Sequence, residues 1–133
     1  MQDVDRTGGP RVLVADDSED ALSAYEAYLQ AKGYDVTVSL TGDSALREAR
    51  ATLPDVVIVD HEMPGLNGCE VAKALGADPE TRNIPVIMVT GRDDPETRQR
   101  ALLSGCVAFL TKPCTPALLL MNLALALCPR SPS

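Results

Sequence analysis

The sequence predicts a doubly wound α/β domain, with a five-stranded parallel sheet covered by helices on both faces. Three observations lead there. Short runs rich in Val and Ile recur at residues 12–15, 36–38, 56–59, 86–89 and 107–110, as expected of strands buried on both faces. Segments with helical spacing lie between the runs, and turn residues mark the joints. Parallel strands also need crossovers, which return the chain to the same edge of the sheet when they are right-handed helices.

Taken in order, the first run leads into a helix whose Leu22, Tyr25, Tyr28 and Leu29 share a face, with Ser18 as its cap and Gly33 as its stop. The second leads into Leu46, Ala49 and Leu53, again at helical spacing, after Asp43. Pro64, Gly65 and Gly68 mark a loop after the third run, and Pro95 stands where a helix begins after the fourth. The segment after the fifth run differs from the others. Residues 115–128 carry no charge, and Leu118, Leu119, Leu120, Met121, Leu123, Leu125 and Leu127 surround more than one face. A helix lying on a sheet is expected to be polar outside, so this one is expected to pack on a partner: a second copy or an output domain.

Composition narrows the function. The 133 residues fit one domain, since domains run to roughly 100 to 150 residues. The expected limits are 11–128, with residues 1–10 and 129–133 as tails or linkers rich in Gly, Pro and Ser. A net charge of −7 opposes direct nucleic-acid binding by this segment. Tyr25, Tyr28, Tyr34 and Phe109 are the only aromatics, too few for a stacking platform or a flavin sandwich. Cys69, Cys106, Cys114 and Cys128 have no CxxC spacing, so reduced thiols are expected rather than zinc or a redox pair. No secretory signal is evident at the N-terminus, and the apolar stretch at 117–128 is well short of the roughly 20 residues of a membrane helix. A cytoplasmic location without membrane association is the expectation.

In doubly wound sheets the site forms beyond the carboxyl ends of the strands. Asp16 and Asp17 follow the first run, Asp60 the third, Thr90 the fourth and Lys112 the fifth. Any one of them could simply cap a helix. Together they place three carboxylates, a hydroxyl and an amine at one edge. Three negative charges against one positive charge leave a surplus that calls for a hard divalent cation, Mg2+ or Mn2+. One carboxylate can then act as a nucleophile toward phosphorus, with the amine and hydroxyl meeting the charge that develops.

These pieces resemble the receiver domain of two-component response regulators over residues 11 to about 128. The matching motifs are Val-Leu-Val-Ala-Asp-Asp at 12–17, Val-Val-Ile-Val-Asp-His-Glu-Met-Pro-Gly at 56–65, Pro-Val-Ile-Met-Val-Thr-Gly at 85–91 and Ala-Phe-Leu-Thr-Lys-Pro at 108–113. The resemblance implies a (βα)5 flavodoxin-like fold with strand order 2-1-3-4-5. It also implies a phosphorylation-controlled switch that assists its own phosphorylation and dephosphorylation without being an ordinary enzyme. Asp60 would accept a phosphoryl group from a histidine kinase or histidine phosphotransfer protein. Asp17, Asp60 and the Glu62 backbone carbonyl would hold magnesium, and Asp16 would act mainly through a coordinated water. Lys112 and Thr90 would meet the phosphoryl oxygens, and Gly91 would leave room for entry. Thr90 and Phe109 would form the switch, read out on the fourth and fifth α/β elements. Phe109 lacks a hydroxyl, so its two orientations are expected to differ by packing alone.

Glu62 and Arg92 occupy positions that in this family line the path of attacking water, and an ion pair between them is expected to slow hydrolysis. His61 neighbours Asp60 on a strand and should therefore point away from the pocket. Two other readings fit the residues less well. A receiver-like module that docks without phosphorylation conflicts with the full set of five polar residues. An aspartyl-nucleophile phosphohydrolase resembling haloacid dehalogenases would carry Asp-x-Asp at the first strand, where this chain has Ala-Asp-Asp-Ser.

Overall fold

The computed structural model describes residues 9–128, so the expected C-terminal tail and nearly all of the expected N-terminal tail lie outside the described residues. Five strands alternate with five helices: β1 Arg11–Ala15, α1 Glu19–Ala31, β2 Asp35–Ser39, α2 Gly42–Thr52, β3 Val56–Val59, α3 Gly68–Ala77, β4 Val86–Thr90, α4 Pro95–Leu103, β5 Ala108–Thr111 and α5 Pro116–Leu127. All neighbouring strands pair in parallel, in the order β2-β1-β3-β4-β5.

The period of two along each strand divides the core into two layers. Leu13, Val57, Val59 and Met88 face Ala45, Ala49, Val71, Leu75 and Ala101 of α2, α3 and α4. Val12, Val14, Ile58, Ile87 and Val89 face Leu22 and Leu29 of α1 and Leu119 and Leu123 of α5. β1, β3 and β4 are buried along almost their whole length. Each fully buried Val, Leu or Ile side chain contributes about 1.5–3 kcal/mol, so this apolar floor fixes the strand ends firmly.

Each helix begins with a side-chain cap at the carboxyl edge of the sheet. Ser18, Thr41, Asn67, Asp94 and Thr115 each accept a backbone N–H from the first turn. Asn67 forms a full capping box with Glu70, and Pro95 and Pro116 supply the preset φ of a first turn. The loops of the site are therefore pinned at both ends, by a strand and by a cap.

Three expectations need correction. β2 is not buried on both faces; it is an edge strand with Asp35 and Thr37 exposed. The fifth strand starts at Ala108, one residue later than its apolar run, and Val107 is exposed while its N–H donates to the Val86 carbonyl at 2.8 Å. Leu53 does not extend the buried face of α2. It is the C-cap, with a left-handed φ of 48°, a conformation that ends a helix and is uncommon for any residue but glycine. On α5 the expected outward stripe is present: Leu119 and Leu123 are buried, while Leu118, Met121 and Leu125 are exposed.

Candidate functional site

Asp16 and Asp17 follow β1, Asp60 follows β3, Thr90 ends β4, and Lys112 follows β5. Backbone hydrogen bonds carry the sheet's alignment past the last paired residues: Asp16 N–H donates to the Ser39 carbonyl at 3.1 Å, Asp60 N–H to Ala15 at 3.0 Å, and Lys112 N–H to Thr90 at 2.8 Å. These bonds gather the predicted set at one edge. One carboxylate oxygen from each of Asp16, Asp17 and Asp60 lies within 4.8 Å of the others.

Asp16 and Asp60 are buried and Asp17 is exposed. Lys112 Nζ donates to Asp16 Oδ2 at 2.8 Å and to Asp60 Oδ2 at 3.0 Å. Burial opposes the ammonium, but the hydrogen bonds to Asp16 and Asp60 outweigh it and hold its pKa above the ordinary lysine range. The other oxygens are engaged as well. Asp16 Oδ1 accepts Ser18 N–H at 3.0 Å, and Asp60 Oδ1 accepts Glu62 N–H at 3.2 Å. Both bonds tie a carboxylate to its own loop and restrict its rotamer.

The acids fit a small dication. They are all-oxygen donors, and an ion with bonds of about 2.0–2.1 Å spans ligand oxygens up to about 4 Å apart, with water filling other positions. Two of the three are buried, where an uncompensated charge is costly. Lys112 offsets one of them and leaves a net negative cradle.

Thr90 is fully buried, and its Oγ1 accepts Arg92 N–H at 3.3 Å. Gly91 is exposed, and a Cβ there would project into open space. Glu62 and Arg92 do form the expected ion pair, at 3.3 Å on the exposed rim. Arg92 also reaches Asp94 at 3.3 Å. Its pKa is raised by hydrogen bonds to Glu62 and then to Asp94. Phe109 is half-buried and pairs with Met88, two residues before Thr90 on the adjoining strand.

His61 points away from the acids, as expected. It is buried, with Nδ1 3.7 Å from Cys69 Sγ on α3. Burial lowers its pKa. Gly68, noted in the sequence only as a turn residue, has a more specific role. A Cβ there would lie 2.5 Å from the Asp60 carbonyl and 2.9 Å from Met88 Cε, so α3 can approach the end of β3 only through glycine.

Sequence reasoning missed two residues near the site. Tyr25 on α1 is half-buried, and burial pushes its phenol up to about 12 against the lowering influence of Lys112, with smaller raising influences from Cys114, Asp16 and Asp60. Its helical spacing suggested only core packing. Arg98 of α4 stands with its guanidinium carbon 4.8 Å from the Phe109 ring centroid. Nothing in the sequence links a helix residue to a strand residue eleven positions later.

Comparison with known proteins agrees with the geometry. The family model described as the response regulator receiver domain matches residues 12–124. The response regulator PleD of Caulobacter vibrioides is 43% identical over 103 residues, covering 77% of this chain and 23% of PleD. Protein PilH of Pseudomonas aeruginosa is 38% identical over 103 residues, covering 77% of this chain and 85% of PilH. This chain thus spans under a quarter of PleD, and about half or less of the phosphate regulon regulator PhoB of Rhizobium meliloti and the PrrA regulator of Mycobacterium leprae. Among solved structures, the receiver domain of the sensor histidine kinase PA1611 of Pseudomonas aeruginosa superposes with a TM-score of 0.83 at 28% identity, covering 90% of this chain and 98% of that one. That structure holds a magnesium ion coordinated in its active-site cleft. Five parallel strands in the order β2-β1-β3-β4-β5, an acidic pocket at their carboxyl ends and a family match over most of the chain lead to one conclusion: the chain belongs to the response regulator receiver domain family.

Proposed function

We propose that Asp60 is the phosphoacceptor of this receiver domain, taking its phosphoryl group from a phosphohistidine on a kinase or phosphotransfer protein. The observation that carries this reading is the Lys112 ammonium shared between Asp16 at 2.8 Å and Asp60 at 3.0 Å. It orients one carboxylate for attack and stands ready for the negative charge that develops.

Asp17, Asp60 and the Glu62 carbonyl would hold magnesium, or manganese in its place. Asp16 would act mainly through a coordinated water. When bound, the ion supplies charge neutralisation of the phosphoryl oxygens. The chain's own residues do the rest. An Asp60 oxygen forms a bond to phosphorus while the donor's P–N bond breaks and the imidazole leaves with the bonding pair. Lys112 then faces a phosphoryl oxygen. Thr90 moves from its Arg92 contact to hydrogen-bond another, and Gly91 leaves the entrance clear. Replacing one negative charge with about two, and adding acceptor oxygens, supplies the pull on Thr90. Phe109 follows, and the surface of α4, β5 and α5 changes.

Turnover is confined to the chain's own phosphorylation and dephosphorylation, in the cytoplasm; no described helix is long and apolar enough to cross a membrane. The exposed stripe of Leu118, Met121 and Leu125 supports α5 as the face that meets a second copy or an output domain. Sedimentation velocity of wild type against Met121→Glu tests the first of these.

The deciding experiment is incubation with magnesium and acetyl phosphate, followed by intact mass. One phosphoryl group is expected on wild type and none on Asp60→Asn. An adduct that persists on Asp60→Asn would overturn the assignment.

A further inference from the structure

Phe109 is the only phenylalanine in the chain. It lies half-buried on the edge strand β5, against the core layer under α4. Arg98, on α4, places its guanidinium carbon 4.8 Å from the ring centroid, inside the reach of about 6 Å for a cation–π contact. The same guanidinium donates from Nη2 to Asp93 Oδ1 at 2.7 Å. Asp93 belongs to the short connection from Thr90 to α4. Arg98 therefore touches two things at once: the aromatic ring of β5 and an acid on the segment that Thr90 leads.

We propose that Arg98 is the positioning residue that holds Phe109 in its resting orientation, and that Asp93 couples this hold to the connection following Thr90. The proposal rests on the reading of Thr90 and Phe109 as the switch pair. A phenylalanine has no hydroxyl through which either rotamer could be anchored. A cation over the ring face supplies the missing orientational preference, because the attraction is lost when the ring turns away. The Asp93 bond matters for the same reason. It fixes the planar fork of the guanidinium, so the cation does not follow a turning ring. When Thr90 is drawn toward a phosphoryl group, residues 91–94 are drawn with it. Asp93 shifts, Arg98 shifts, and the hold weakens as the charge arrives. The bias is small, about two- to five-fold in a two-state ratio for an exposed cation–π pair, a size that phosphorylation can reverse.

The single phenylalanine makes the test direct. Growth with 4-fluorophenylalanine labels position 109 alone in the full chain. The 19F resonance and its shift between H2O and D2O then report the ring's surroundings and its exposure. Wild type, Arg98→Gln, Arg98→Lys and Asp93→Asn are compared at rest and with magnesium and acetyl phosphate. Acetyl phosphate is expected to move the wild-type resonance. At rest, Arg98→Gln and Asp93→Asn are expected to sit part of the way toward that position, with the ratio changed about two- to five-fold, and Arg98→Lys between them and wild type. Asp93→Asn keeps the guanidinium in the chain, so its shift cannot arise from the loss of Arg98 itself.

Resting spectra and exposures identical to wild type in Arg98→Gln would overturn the hold. A change in Arg98→Gln with none in Asp93→Asn would overturn the coupling through Asp93. If intact mass shows no adduct on wild type, the phosphoacceptor reading fails separately, while ring exposure in the resting variants still decides whether Arg98 holds Phe109.

Discussion

Lys112 donates to Asp16 at 2.8 Å although β3 and β4 lie between the strands that carry them. Three strand spacings separate β1 from β5, about 14 Å, and the side chains of Lys112 and Asp16 close that gap by meeting beyond the ends of the strands. The ammonium thus stands above Asp60 and closes the acidic cradle from one side.

Lys112→Ala is expected to leave two buried carboxylates without their counter-charge. Breaking such a pair costs about 3–5 kcal/mol when both partners are fully buried. Lys112 is one-third exposed, so a loss of about 1–3 kcal/mol in magnesium-free buffer is expected. Magnesium should restore stability to the variant more than to wild type, because the cradle is then more negative. Urea midpoints with and without the ion measure both effects, and phosphorylation by acetyl phosphate should be strongly slowed throughout.

Arg92→Ala removes two exposed ion pairs, with Glu62 and with Asp94. Exposed pairs contribute little to stability, so the urea midpoint should stay within error of wild type. The lifetime of the phosphorylated form should nevertheless shorten, because the Glu62 bridge no longer screens the path of water. Mass spectrometry at intervals after donor removal follows the decay, and an unchanged decay rate would refute the shielding role.

Asp94 caps α4 through the Thr97 backbone N–H and, next in importance, the Thr97 hydroxyl, and these bonds lower its carboxyl to about 2. A carboxyl lowered on folding adds stability that is present above its ordinary pKa, near 4, and is lost as pH falls through about 2. Protonation should therefore fray α4 only below about pH 4. Carboxyl carbon shifts followed by NMR titration should place the Asp94 midpoint well below those of ordinary aspartates, and Thr97→Val should raise it.

Two glycines of α3 should respond in opposite directions. Gly68→Ala forces a Cβ against the Asp60 carbonyl and Met88, and overpacking of this kind costs about 1–3 kcal/mol. At Gly76 a Cβ meets nothing within 4 Å, so Gly76→Ala should stabilise by about 0.5–1 kcal/mol through helix propensity. Denaturant melts of the two variants give the comparison directly. Phosphorylation should be impaired only in the first, because it alone disturbs the acceptor loop.

The strand ends were legible because each apolar run stops abruptly at a polar residue. In a parallel sheet all such stops fall at one edge, so the sequence alone gathers Asp16, Asp60, Thr90 and Lys112. Ser18 and Pro95 were legible for a similar reason: capping depends on a few adjacent residues. What stayed hidden depends on distance in space. The exposure of β2 follows from its place at the edge of the sheet, which the family resemblance implied but its apolar run does not encode. Leu53 breaks the preference of its residue type because the chain must turn into β3. The Arg98 contact with Phe109 exists only because α4 is laid across β5, and the Gly68 requirement only because α3 starts against the end of β3.

The division of the pocket among strands also makes the domain mechanically lopsided. The acids stand on β1 and β3, inner strands paired on both sides, whereas Lys112 and Phe109 ride on β5, which is paired on one side only. β2 is paired on one side only as well, but none of the five site residues follows it, so of the sheet's two margins only the β5 side carries a group that meets the acids.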